Sequence, residues 1–595
     1  AVKDETGTIV TGEAAKGVWR KHFDVLLNQP PPTTPLPPLP SKSVYNMDTS
    51  PPTLEELKSV IGRLKTGKAP GDDGIPSEIL KALPSCALRD LHRHITSMFT
   101  EEAIPDSWRN AVIVPIHKKG PTSDAANYRG ISLIRTTYKL LERLIVNRLL
   151  PSREDTARDE QAGFRPGRGT VDQVFTLRRI LEVHREHGQP VHVAFLDFRA
   201  AFDSPDRDRL FQVTEADGMP PSFCRLLRNL YTRTTATVRS PAGETEQFLV
   251  RTGVRQGSVS GPILFNYVMD DILGHVCKAI PPEVELYPSG RKITDLCYAD
   301  DIVVLSHTPH HLQAVCTMIE QRAAAHGLQL RPDKCRQMCI NATVTEGVKI
   351  GGQPIKVDDD FCYLGSTIQS SGTLEHEIGS RIAKTKSSFN SLGQVLWNTK
   401  IAPAIKLRVY LSAIRPILMY STETLPLSDN ALERFDVAER RHLRRLLGIS
   451  YPEVVSNQEL YRRVDAVHRK MTRGRDPAYP RTSSAILKSR LRFLGHMLRR
   501  PSHRLISHAL HATAPPHWKK RRGAPRKQWN EVVKAQLERM GMRSASVPRA
   551  HPWRQMWSSP IWMDVVGGIA TDRDTWKEFV RGECTAAEAL RRCAR

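Results

Sequence analysis

The chain has 595 residues, 40% of them apolar, with 87 Lys and Arg against 63 Asp and Glu, a formal net charge of +24 and a pI of about 9.7. That length accommodates several domains, and the charge excess points to a polyanionic partner, nucleic acid first. No run approaches the roughly 18 apolar residues of a transmembrane helix, no signal-peptide pattern opens the chain, and ten scattered cysteines without a CxxC pair argue against a zinc knuckle or disulfide framework and for a reducing compartment.

Residues 1–29 read as a helical lead-in, with Val18, Trp19, Phe23, Leu26 and Leu27 apolar, and residues 30–52 as an extended proline-rich linker, "QPPPTTPLPPLPSKS". From Thr53 the chain becomes patterned. Thr53 with Glu56 after it is a capping-box signature for a helix that Gly67 can end. "GKAPGDDGIP" is a loop, "NAVIVPIHKKG" a strand running into a basic loop, and "TYKLLERLIVNRLLP" an amphipathic helix stopped by Pro151. A second helix, "TVDQVFTLRRILEVHREHG", stops at Gly188. "VHVAFLDFRAAFDS" starts as a buried strand and ends in an acidic, aromatic turn; "GVRQGSVSGPILFNYVMDDILGHV" is a glycine-rich loop entering a helix; "LCYADDIVVLS" is strand, turn, strand; "PHHLQAVCTMIEQRAAAHGLQL" is helix, then strand. This alternation through about residue 370 predicts an α+β domain with a mainly antiparallel sheet. Beyond it the pattern is helical. Leu432, Phe435, Leu443, Leu446 and Leu447 share one face of a helix that Gly448 can stop. Residues 481–530 hold 13 Lys and Arg and no acidic residue.

Three carboxylates carry the chemistry. Asp197 ends the apolar run "VAFL", and Asp300 and Asp301 sit at the tip of a predicted hairpin. If the hairpin lies beside the Asp197 strand, the three converge at one end of the sheet. Hard oxygen ligands select Mg²⁺ or Mn²⁺, and two such ions about 4 Å apart serve phosphoryl transfer. "ADD" alone is a weak signal, usually a solvated turn. Its order after "DFRAAFD" and "RQGSVSGPILF" makes the combination strong.

At this point the chain resembles the reverse transcriptase of non-LTR (LINE-type) retrotransposons. The segments "GKAPGDDGIPSEIL", "VIVPIHKKG", "NYRGISL", "QAGFRPGRGTVDQ", "FLDFRAAFDS", "GVRQGSVSGPILF", "YADD", "GLQLRPDK" and "YLGSTI" carry the resemblance, in family order over roughly residues 55–370. It implies a right-hand polymerase of fingers, palm and thumb, with fingers and palm over 53–370, a helical thumb over 371–455 and a basic nucleic-acid-binding region over 456–595. It implies an RNA-directed DNA polymerase that adds dNTPs to a DNA primer on an RNA template and needs two Mg²⁺ ions, with Mn²⁺ as a substitute. The resemblance assigns the metals to Asp197, Asp300 and Asp301, with Asp301 secondary and the carbonyl of Phe198 also in reach. Phe202 is the steric gate against a 2′-OH, against the plain alternative of a core Phe. Gln256 and Gly257 lie along the nascent base pair. The family more often shows Cys-Pro-Leu-Ser-Pro after "QG" where this chain has "SVSGP". The resemblance makes Lys118, Lys119 and Arg129 triphosphate contacts, Arg129 and either lysine first, against a solvated basic loop; it makes Arg165 and Arg168 contacts to phosphate of template or nucleotide; and it matches Lys334 to a lysine that assists the leaving group, against a plain surface lysine of the palm.

In the tail, Trp518 and Trp529 bracket Lys519, Lys520, Arg521, Arg522, Arg526 and Lys527, a composition that suits stacking and phosphate pairing, equally suits nuclear import, and has as its plain alternative a solvated basic loop next to core tryptophans. Residues 1–52 are too short for an endonuclease, so nicking is expected to come from elsewhere. Cys584 and Cys593 lack partners for a knuckle. A nuclear and cytoplasmic ribonucleoprotein is the expected setting. The competing readings are an inactive remnant that only binds nucleic acid and an intron-type or host-adopted reverse transcriptase.

Overall fold

The computed structural model describes residues 1–344, 346–475, 478–522, 527–539 and 562–582. Its first part mixes helices with two five-stranded sheets, and its last part is mostly helical. In one sheet the strand order is Asp295–Tyr298, Asp301–Ser306, Val191–Leu196, Arg336–Ile340 and Lys356–Val357. The first three pairings are antiparallel and the outermost is parallel. Both faces are covered, which explains why "VHVAFL" is apolar without alternation. Ala194, Leu196, Ile302 and Val304 pack toward the helix Gly261–Ala279 with Phe265 and Val268. Val193, Phe195, Val303 and Leu305 pack the other way, toward Val174, Leu177 and Leu181 of the helix Thr170–Glu186.

The second sheet is built on the hairpin Asn110–His117 and Tyr128–Leu133, with Thr235–Ser240 parallel to the first of these. The helix Gly12–Leu27 lies on it, burying Trp19 and Phe23 against Ile113, Ala236 and Val238. The proline-rich stretch forms no helix or strand but is tied down. The Lys42 N–H donates to Ala216 O and the Tyr45 N–H to Gly218 O, both at 2.8 Å, and the Tyr45 hydroxyl donates to Asp217 at 2.5 Å.

Thr53 and Glu56 form the capping box, but that helix ends at Gly62, short of Gly67. The helix expected to stop at Pro151 runs from Thr136 to Thr156 with the proline inside it. Proline removes one backbone donor. Tertiary contacts hold the last turn regardless: buried Arg153 pairs with Asp270 and Asp217, and its guanidinium lies 4.2 Å from the Tyr267 ring centre. "GLQL" forms a single bridge, Phe198 with Leu330, and the strand comes later at Arg336–Ile340.

Downstream, Asp429–Leu446 is capped by the Ser428 hydroxyl, and Gly448 follows at φ 73°. The helix Thr482–Leu498 gathers a third core with Trp529, Val566 and Trp576, to which Phe175 of Thr170–Glu186 also belongs. The C-terminal region is thereby packed onto the sheet-bearing part. Among the described residues no helix is long and apolar enough to cross a membrane.

Candidate functional site

Strand register brings the carboxylates together. Leu196 pairs with Ile302, so the next rung of that antiparallel ladder sets Asp197 opposite Asp301. Tyr298 pairs with Asp301, leaving Ala299 and Asp300 as a two-residue turn with Ala299 at φ 59°, the positive angle such a hairpin needs at its first turn position. The crowding shows at both residues of the Asp300–Asp301 pair. Asp300 is raised above the ordinary carboxylate range by burial and then by Asp197. Asp301 is pushed up to about 6 by desolvation, then by Asp300 and Asp197. Phe198 is buried and bridges to Leu330.

Cations face this cluster from two directions. Lys334 Nζ lies 3.9 Å from Asp197. From the other sheet comes Arg129, paired with Ile116 across the hairpin, and its charge acts on both Asp300 and Asp203. Lys118 is held below the usual lysine range by burial and then by Arg129, with smaller effects from Lys334 and Arg331. Lys119 is exposed on the same loop and makes no ion pair among the described residues.

The "RQG" loop runs between these walls. A Cβ on Gly257 (φ 132°) would come within 2.4 Å of Ser132 O, and one on Gly253 (φ 74°) within 2.5 Å of Asp203 O, so only glycine lets the loop pass. The Gln256 carbonyl accepts from the Ser132 N–H at 2.8 Å. Its side-chain amide donates to both Asp203 oxygens, at 2.7 and 2.8 Å. Asp203 is pushed up to about 6 by burial, against the pull of Gln256, Lys118 and Arg129. Phe202 is half-buried, stacked on Phe265 with ring centres 4.4 Å apart.

The "SVSGP" departure has a local partner. Buried Glu142 accepts from the Val259 N–H at 2.7 Å and from the Ser260 hydroxyl, and the Ser258 hydroxyl accepts from the Gly261 N–H at 2.7 Å. The serines thus secure the start of Gly261–Ala279. The one signal for Glu142 in the sequence is a carboxylate set within the apolar pattern of "LLERLI".

Arg165 and Arg168 are engaged elsewhere. Arg165 is buried, with two bonds to Glu154 at 2.8 and 3.0 Å and one to Gln161 O at 2.9 Å. Arg168 pairs with Asp159 at 2.6 Å. Both guanidinium groups hold the loop's own fold. Trp529 corrects an expectation: its ring is 0% exposed, its Nε1–H donates to Glu423 O at 2.7 Å, and it packs edge-on to Phe175, so no face is free for a base. Lys519, Lys520, Arg521 and Arg522 are exposed, with Lys520 paired to Glu186 at 2.8 Å and Arg521 bonded to Asn341 at 2.8 Å. Trp518 stacks edge-on against His184. Arg526, Cys584 and Cys593 lie outside the described residues.

The structure singles out Gln161, which the sequence reading passed over. Its Oε1 accepts from the N–H groups of Ala299 at 2.9 Å and Gly163 at 2.8 Å, and its Nε2 donates to Cys297 Sγ at 3.0 Å. The carboxylate turn is therefore held from behind by the "QAGFR" loop. Nothing local to "QAG" announces this, because the partner lies 138 positions away.

Among the described residues no three His, Cys, Asp or Glu side chains form a ready metal cage. Mg²⁺, however, is commonly held by one or two carboxylates and completed by substrate phosphates and water. Asp300, raised by burial and Asp197, and Asp301, raised by burial, Asp300 and Asp197, sit with Asp197 as a crowded all-oxygen donor set, and that fits a hard divalent ion.

Residues 116–394 match the family model for reverse transcriptase (RNA-dependent DNA polymerase). The chain is 28% identical over 413 residues to the RNA-directed DNA polymerase from mobile element jockey of Drosophila melanogaster, covering 67% of this chain and 44% of that protein. It is 27% identical over 424 residues to the probable RNA-directed DNA polymerase from transposon BS of the same fly, covering 68% and 46%. The jockey polymerase of Drosophila funebris matches at 26% over 420 residues, covering 67% and 43%. The chain spans less than half the length of these relatives. Residues 116–394 are thus similar to a reverse transcriptase domain, and the relatives named here are RNA-directed DNA polymerases of mobile elements and transposons.

Proposed function

We propose that this chain is an RNA-directed DNA polymerase of the non-LTR type, extending a DNA primer 3′-OH with dNTPs on an RNA template. In this reading the sheet with Asp197 and Asp301 is the palm, the sheet under the N-terminal helix belongs to the fingers, and the helices of 371–455 are the thumb. The observation that carries it is the set of carboxylates brought together by the Leu196–Ile302 register, with Lys334 and Arg129 beside them and Lys118 next to Arg129.

Asp197 and Asp300 would hold two Mg²⁺ or Mn²⁺ ions, with Asp301 and the Phe198 carbonyl in support. Bound there, the ions supply Lewis-acid activation of the attacking hydroxyl and charge neutralisation at the phosphates. Lys118 and Arg129 bind the triphosphate from the fingers side, where fixed positive charge meets the charge that develops as the bond forms. Lys334 Nζ, beside Asp197, donates a proton to the departing pyrophosphate. Phe202 closes the floor under the sugar and excludes a 2′-OH. Gln256 sets the loop beside the nascent base pair and is itself oriented by Asp203. The exposed Lys519, Lys520, Arg521 and Arg522 offer phosphate contacts whose strength falls with salt.

The test is primer extension by the full chain with an RNA template, a DNA primer, Mg²⁺ and dNTPs. Extension by the wild type and its loss in Asp300→Asn are expected. No extension by the wild type, or equal extension by the variant, overturns the reading.

A further inference from the structure

Phe164 stands out in the "QAGFRPG" loop. It is 50% exposed, unusual for so large an apolar ring, and its backbone sits at φ 58°, in the left-handed region. A bulky non-glycine residue is strained there, and such strain persists only where the surroundings over-determine it. They do so on both sides. Gly163 is pressed against Ala299, where an added Cβ would meet the Ala299 N at 2.3 Å, and its carbonyl accepts from Asn266 at 2.8 Å. Arg165 is buried and bonded twice to Glu154. Between these anchors the Phe164 ring is displayed edge-on to Phe202, with centres 6.0 Å apart and planes at 90°. Phe202 has its other support in Phe265.

We propose that Phe164 is a specificity-determining residue that works as a pair with Phe202. Phe265 supports the gate ring by stacking and Phe164 braces it edge-on, so that the ring cannot tilt away from an incoming sugar that carries a 2′-OH. The exposed side of Phe164 forms the adjoining wall of the same sugar pocket. The sequence alone offers no reason to connect the two rings, which lie 38 positions apart, and a loop needing only a left-handed residue would be served by glycine without strain. This inference rests on the polymerase reading and on Phe202 as the gate.

The experiment is single-nucleotide incorporation by the full chain on an RNA template, comparing kcat/KM for a dNTP and its matching rNTP, with melting temperatures measured alongside. The variants are Phe164→Ala, Phe164→Gly, Phe202→Val and Phe164→Ala combined with Phe202→Val. The dNTP preference is expected to fall roughly three- to tenfold in both Phe164 variants, the scale of one edge-to-face aromatic contact. Phe164→Gly should melt no lower than Phe164→Ala, because glycine accepts the positive φ. The double variant should be no less selective than Phe202→Val alone. Unchanged sugar preference with a lower melting temperature would reduce Phe164 to a structural residue and overturn the proposal. So would effects that multiply in the double variant, since they would mean that the two rings act separately. A wild type that extends with dNTPs but shows no change of preference in Phe202→Val removes the gate and this inference with it, leaving the polymerase reading standing. A wild type that does not extend at all removes both.

Discussion

Replacing Gln256 with Met tests the bond that ties the "RQG" loop to the turn after Phe202. Met nearly preserves the shape and removes the amide that donates to both oxygens of Asp203. Asp203 already titrates near 6, raised by burial, against about 3.9 for a free aspartate. A carboxyl whose folded pKa is raised contributes stability that is complete below the unfolded value and is lost as pH rises through the folded one. In the wild type that loss falls between about pH 4 and pH 6. A hydrogen bond to an ionised group contributes about 1.5–3 kcal/mol and a neutral one about 1 kcal/mol. Removing the amide should therefore raise the Asp203 pKa by about one unit or more. At pH 5, where Asp203 is mostly neutral in both proteins, Gln256→Met should cost about 1 kcal/mol, and by pH 8 roughly 1–2 kcal/mol more. Urea unfolding followed by tryptophan fluorescence at pH 5 and pH 8 reads the difference as a widening gap between midpoints. A gap that is the same at both pH values would refute the clamp. A higher KM for dNTP with no loss of stability would show instead that Gln256 serves the nucleotide alone.

Gln161→Leu should lower kcat for extension by about 10- to 100-fold, because the Ala299 and Gly163 N–H groups lose their acceptor and the carboxylate turn its brace. Gln161→Glu, which keeps both acceptor bonds, should retain more activity, and wild-type kcat in the leucine variant would dismiss the brace. Trp529→Ala should destabilise the chain by about 3–5 kcal/mol, since a fully buried ring and its bond to Glu423 are lost. A melting temperature equal to that of the wild type, with RNA affinity reduced, would show that the ring binds nucleic acid after all.

Where the physics is local, the residues alone are enough. The strand Val191–Leu196, the hairpin around Ala299 and Asp300, the capping box at Thr53 and the stop before Gly448 are written in runs of a few residues. The order of the nine motifs was enough to pick out Asp197, Asp300 and Asp301 together. Pro151 shows where local rules yield: a buried Arg153 with two acidic partners carries the helix past a residue that would ordinarily end it.

Which charged and aromatic groups are free depends on long-range packing. In the sequence Arg165, Arg168 and Trp529 look as available as Lys118 or Phe164. Folding buries Trp529 beneath Thr170–Glu186 and closes both arginines onto Glu154 and Asp159, while it leaves Phe164 half exposed beside Phe202. The reason is that desolvation and pairing depend on neighbours brought from far along the chain. Gln161 and Ala299, 138 positions apart, meet only once the hairpin of the sheet lies against the loop that precedes Thr170–Glu186.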